Sequence, residues 1–127
     1  MPFRYITLRE TLHIHERLIA AYGGSPGVRD RGLIEAALLR PQTGYYADLI
    51  EEAAALWESL SMNHGFVDGN KRIGFACMEI FLDLNGLELV CGQDEAIEFI
   101  YRHIEAGTFT KDNLDSWLRT NTRAAGE

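Results

Sequence analysis

Two cysteines, three prolines and no long uncharged stretch are what this 127-residue chain has least of, and each scarcity removes a class of protein. Cys77 and Cys91 are too few for a disulfide scaffold, and their spacing matches no zinc motif. Cys77 stands inside an apolar helical pattern, the setting of a buried thiol in a reducing compartment. No uncharged run approaches the ~18 residues that a membrane span needs. The opening Met1-Pro2-Phe3-Arg4 has no apolar core of a secretory signal, so the expected location is the cytoplasm, with no membrane partner. Basic charge is short as well: twelve Lys and Arg against nineteen Asp and Glu leave a net charge of −7. A general nucleic-acid binder carries a basic face, so nucleic acid is not an expected partner of this chain on its own. A local basic pocket for one nucleotide is compatible with that balance. What is present is ordinary for a globular protein: 46% hydrophobic and 24% charged residues, at a length that suits a single domain over 1–127.

Helix signals dominate the chain. Thr7 with Glu10 forms a capping box, and Leu8, Leu12, Ile19 and Tyr22 fall on one face before Gly23, Gly24 and Pro26 end the helix. Asp30 caps a second helix, 31–40, with Ile34, Ala37 and Leu38 inward and Pro41 as its stop. A third runs from Asp48 to Asn63, with Ile50, Ala53, Trp57 and Leu60 inward. The fourth, 71–85, is apolar around most of its circumference, with Glu79 and Asp83 marking one exposed strip, so it is the expected central rod. Leu87 to Val90 reads as a strand, and Arg4 to Ile6 as a weaker one. Asp94 opens a fifth helix with Ile97, Ile100, Tyr101 and Ile104 inward, and Thr110 a sixth carrying Leu114, Trp117 and Leu118. The tail 120–127 has no apolar pattern and is expected to fray. The expected fold is all-α: about six helices around a buried central helix, 71–85, with at most a minor pair of strands.

Chemistry concentrates between the third and fourth helices, in His64-Gly65-Phe66-Val67-Asp68-Gly69-Asn70-Lys71-Arg72. A helix beginning here points free N–H groups and the positive end of its dipole into the loop, which makes an anion site. Lys71 and Arg72 add two positive charges to it. Asp68 beside them is a candidate ligand for Mg²⁺, which takes one or two carboxylates together with phosphate oxygens. His64, with an ordinary pKa near ~6.5, suits a general base. Phe66 is apolar in a polar loop and is expected to pin it to the core. Each part has an ordinary reading too: a helix-capping histidine, an Asp-Gly-Asn turn, a solvated Lys-Arg pair. Charge sense favours the site, because cations at a helix amino terminus are unfavourable unless an anion binds there. His13 and His15 lie two apart and share no helical face, so they make no metal pair. His103, Trp57 and Trp117 are read as structural.

This loop, H-x-F-x-D-G-N-K-R, resembles the signature of the Fic/Doc family in the form of its death-on-curing (Doc) toxins. Seven specified residues make a chance match on the order of 10⁻⁹ per start position. Tyr22 to Asp30, Gly32 to Leu38 and Arg40-Pro41-Gln42 resemble the first third of Doc-type chains, and Phe81 to Leu89 resembles the stretch just after their signature loop. The resemblance covers residues 5–120 and implies the helical fold read above. It implies His64 as the base that activates a target hydroxyl, Asp68 as the metal ligand, and Gly69, Asn70, Lys71 and Arg72 as the phosphate-binding turn. It also implies that the 22–30 loop borders the site, where Arg29 and Asp30 contact nucleotide or target, or where Asp30 simply caps a helix. Family members that transfer AMP have glycine where this chain has Lys71 and a second arginine where it has Phe75; both features match the Doc branch.

The leading expectation is therefore the toxin of a type II toxin–antitoxin pair. It would use ATP and Mg²⁺ as a protein Ser/Thr kinase and block translation by phosphorylating a threonine of elongation factor Tu. AMP transfer to a protein hydroxyl is the alternative enzyme. A catalytically silent binding module is the third reading: Gly65 in place of a proline and Ile73-Gly74 in place of Thr-Ala are expected to loosen the loop and helix start. The resemblance implies an antitoxin whose carboxy-terminal segment docks in a groove beside the active site.

Overall fold

Side-chain caps set where most of the helices begin in the computed structural model, which describes residues 3–126. Thr7 Oγ1 accepts from the Glu10 N–H, and the Glu10 carboxylate accepts from the Thr7 N–H, opening α1 (Leu8–Tyr22). Asp30 accepts from Leu33 N to open α2 (Arg31–Leu39), and Asp48 accepts from Glu51 N to open α3 (Leu49–Met62). Between α2 and α3 lies a 3₁₀ turn, Arg40–Thr43, with Pro41 buried at its start. Then come α4 (Asn70–Leu84), β1 (Leu87–Leu89), α5 (Gln93–Ala106), α6 (Lys111–Asn121, capped by Thr110) and β2 (Thr122–Ala124). The architecture is all-α, with one two-stranded antiparallel sheet.

The core is built on two helices. α4 buries Ile73, Gly74, Cys77, Met78, Phe81 and Leu82, as its apolar composition requires. α3 shares the centre, burying Leu49, Ile50, Ala53, Ala54, Ala55, Leu56, Trp57 and Leu60 as well as Glu52, Ser59 and Ser61. The alanines and serines among these keep α3 slim enough for α4 and α6 to close in on it. Trp57 is the hub: the rings of Phe75, Phe99, Phe109 and Trp117 surround it at 5.6–6.0 Å between centroids. Aromatic pairs of this kind contribute ~0.5–1.5 kcal/mol each beyond their buried area.

Four local readings are corrected. Arg4 to Ile6 forms no strand; Arg4 instead exchanges two backbone hydrogen bonds with the Asn85 amide at the end of α4, at 2.8 and 2.9 Å. The tail does not fray from residue 120, because Thr122–Ala124 pairs with Leu87–Leu89 in the register Leu87↔Ala124, Glu88↔Arg123, Leu89↔Thr122. An Arg123–Glu88 ion pair at 2.7 Å lies on the same rung. Glu127, the end of that stretch, is outside the described residues. On α1 the buried residues are Thr11 and His15, and Tyr22 is exposed. On α5 they are Ala96 and Phe99, leaving Ile97 and Tyr101 exposed, because Phe99 stacks on Trp117 at 4.8 Å and so fixes the helix rotation.

Candidate functional site

The loop between α3 and α4 is shaped by backbone hydrogen bonds from residues far away in sequence. Gly65 O accepts from Arg29 N and Asp30 N at 2.8 and 2.9 Å, and Val67 N donates to Gly27 O at 3.1 Å. The 27–30 stretch thus lies antiparallel along 65–67, bridged at Val28 and Phe66. Phe66 is buried and, as expected of it, pins the loop to the core. Asn70 closes the turn: its amide oxygen accepts from Phe66 N at 3.1 Å and its amide nitrogen donates to Phe66 O at 3.0 Å.

His64 stands at the open end of this loop, exposed to solvent. Its φ of 55° is the single positive value among the described non-glycine residues. A conformation of this kind costs ~1 kcal/mol or more and persists where surroundings over-determine it. Arg29 supplies part of that determination. Its Nε donates to His64 O at 2.6 Å and its Nη2 to Asn63 O at 3.4 Å, so a guanidinium sits on the two carbonyls just past the end of α3, where the helix dipole favours a cation. Asp30, for its part, is the cap of α2.

Asp68 and the start of α4 form the other end. Asp68 Oδ2 accepts from Ser25 N at 3.1 Å and Oδ1 from Gly69 N at 2.8 Å. Those two bonds, Ser25 first, hold its carboxyl below the ordinary carboxylate range, and the Arg72 charge adds to the effect. Gly69, with φ 76°, precedes α4 without a side-chain cap, and the first turn holds no acid. The N–H groups of Asn70, Lys71 and Arg72 lie in the first helical turn, where no carbonyl of the helix reaches them. Neither Lys71 nor Arg72 forms an ion pair among the described residues. The Arg72 guanidinium lies 5.1 Å from the Tyr22 ring centre. The Asn70 side chain is committed to Phe66, so this residue offers an anion its backbone only.

Gly65 and Gly74 stand where the packing leaves no space for a side chain. A Cβ on Gly65 would overlap the Ile34 side chain and stand 3.3 Å from Asp30 O, so glycine is what lets the loop lie against α2. A Cβ on Gly74 would overlap Ser61 Oγ and stand 3.1 Å from Ser61 N; glycine there allows α4 to lie close against α3. Two residues of the site carried no signal in the sequence. Ser25 contributes a backbone N–H, which any residue type except proline has. His15 contributes its ring, and only the fold brings it under a loop fifty-three positions away.

A histidine loop leading into an uncapped, acid-free, doubly cationic helix start, on an all-α frame, is a distinctive combination. The model of the Fic/DOC family matches residues 5–82, which holds α1 to α3, most of α4 and both halves of the site. The protein named Toxin Doc from Mycolicibacterium smegmatis is 46% identical over 79 residues, covering 58% of this chain and 61% of that protein's length. The protein named Protein kinase doc from Escherichia phage P1 is 33% identical over 90 residues, covering 68% of this chain and 71% of that protein. The chain belongs to the Fic/Doc family, and these relatives put it with the death-on-curing branch.

Proposed function

We propose that this protein is the toxin of a type II toxin–antitoxin pair. Its activity would be transfer of the γ-phosphate of ATP to a Ser or Thr hydroxyl of a protein, with a threonine of elongation factor Tu as the expected target. One observation carries the reading: the α4 amino terminus keeps its N–H groups, Lys71 and Arg72 without an acidic partner, directly after a carboxylate fixed by two backbone bonds. The names and the similarity of the two relatives support the step from phosphate site to toxin and kinase.

In this reading the phosphates of ATP lie against the first turn of α4, held by backbone N–H groups and by Lys71 and Arg72. The donors around Asp68 suit Mg²⁺: one exposed carboxylate whose oxygens each accept a single backbone N–H, next to the uncapped start of α4. The metal, when bound, neutralises charge on the transferring phosphoryl group. His64 accepts the proton of the target hydroxyl as its oxygen bonds to the γ-phosphorus; the bond from that phosphorus to the β,γ-bridging oxygen breaks, and ADP leaves. Arg29 keeps the His64 backbone in the conformation that turns its ring outward to the target. Tyr22, Val28 and Val67 are exposed apolar residues on the segments that build the site, a surface suited to a protein substrate or to an antitoxin segment. No helix among the described residues is long and apolar enough to cross a membrane.

The deciding experiment offers purified protein and a cell lysate ATP labelled separately at the α- and γ-phosphates. Label on protein from the γ position alone is expected. Label from the α position would mean AMP transfer, and none from either a silent binding module.

A further inference from the structure

The imidazole of His15 takes no part in the chemistry just described, yet it is 3% exposed and lies in the middle of α1 under the loop. Its ring is stacked on Phe66 at 3.8 Å between centroids and 15° between planes. Its Nε2 is 2.7 Å from the backbone oxygen of Asp68. A carbonyl oxygen accepts only, so the hydrogen is on Nε2. Gly69 lies beside the ring, where a Cβ would be in ordinary contact at 3.5 Å from Nε2; its φ of 76° is what favours glycine.

Three oxygens of Asp68 are thereby held by three different segments. His15 from α1 holds the backbone oxygen, Ser25 from the loop after α1 holds Oδ2, and Gly69 at the head of α4 holds Oδ1. The backbone bond fixes the peptide plane, and the other two fix where the carboxylate faces. A leucine or phenylalanine would fill the space over Phe66 equally well. It would leave the Asp68 carbonyl without its donor and the residue free to turn about its backbone.

We infer that His15 is a positioning residue for the metal–phosphate site, acting on Asp68 through that residue's backbone carbonyl by the hydrogen on its Nε2. The inference rests on the phosphate-transfer reading for what Asp68 does, but not for how Asp68 is held. Groups that orient a metal ligand in this way are worth about 10–100-fold in metal affinity or activity.

The test compares two variants of the full chain. His15→Gln places an amide N–H close to the Nε2 position, whereas His15→Asn places it short of it. In the unaltered protein, nitrogen-resolved NMR is expected to find the His15 hydrogen on Nε2. In His15→Asn, the Mg²⁺ concentration that half-saturates ATP binding is expected to rise about 10–100-fold, and the Gly69 amide to exchange faster with solvent. In His15→Gln both readouts are expected to return to those of the unaltered protein. An Nε2 that carries no hydrogen overturns the inference. So does equal loss of melting temperature in both variants with the Mg²⁺ requirement and Gly69 exchange unmoved, which is what plain packing would give. Failure of the unaltered protein to bind ATP with Mg²⁺ overturns the phosphate-transfer reading instead, and the NMR and exchange results then decide the hold on Asp68 by themselves.

Discussion

A single side chain, His64, is asked to do the proton transfer, and its neighbours are asked only to hold it. His64→Ala should lower phosphate transfer by about 10²–10⁴, the usual contribution of a general base. Its melting temperature should stay near that of the unaltered protein, because the ring is exposed and makes no hydrogen bond among the described residues. Full transfer by this variant at equal folding would remove His64 from the mechanism. A second residue-scale prediction concerns alkaline pH. Tyr5 Oη donates to Glu52 Oε1 at 2.8 Å, and burial, that bond and the Glu52 charge push the phenol up to about 12. Burial likewise pushes the Cys77 thiol up to about 12. Both groups are kept neutral by the fold, so their contribution is complete below their ordinary values and is lost as pH rises through the shifted ones. Urea midpoints should therefore fall as pH climbs from ~9, where Cys77 would ordinarily ionise, to ~12. Tyr5→Phe should make that fall shallower; an unchanged slope would mean that Tyr5 ionises as freely in the folded protein as in the unfolded chain.

Among the elements, α4 carries both a tightly packed glycine, Gly74, and the proposed phosphate cradle. Changing Lys71 or Arg72 to Ala should each weaken ATP binding by ~1.5–3 kcal/mol, the range of a charge-assisted hydrogen bond, as read by calorimetry at low salt. Unaltered affinity in both would place ATP elsewhere on the molecule. Gly74→Ala should destabilise the fold by ~1–3 kcal/mol, because the added methyl meets Ser61 and forces α3 and α4 apart. A chemical denaturation curve identical to that of the unaltered protein would show the helix pair to be looser than its geometry. Element starts were legible in the sequence because caps are local: Thr7, Asp30, Asp48 and Thr110 each bond to an N–H three residues on. The signature loop was legible for the same reason. Faces were less so. Thr11 and His15 look like surface residues of α1, but partners distant in sequence bury them. The 120–127 tail reads as structureless since β2 has no pattern of its own and exists through its pairing with β1. Gly65 and Gly74 look like weakening substitutions until Ile34 and Ser61 are seen beside them.

For the molecule as a whole, the net charge of −7 is carried around one small cationic helix start, so the site should attract polyanions only at short range. A cognate antitoxin segment that binds the folded protein alone should raise its stability by linkage, ~2.7 kcal/mol at a hundredfold excess over Kd, seen as a melting temperature that climbs with antitoxin concentration. A melting temperature indifferent to the product of the neighbouring gene would dismiss that gene as the partner. The side-chain hydrogen bonds that tie the site to α1 and the 22–30 loop join residues 34 to 53 positions apart. Everything chemical is already present in a chain that has reached Arg72, yet its shape waits on these distant partners. Contacts of such span form only after the closure entropy of a long loop has been met, and they come late on the route to the native state. Fragments and half-made molecules should therefore hold the motif without an assembled site, and on the proposed toxin reading any activity would begin with the folding of the site rather than with the synthesis of the motif.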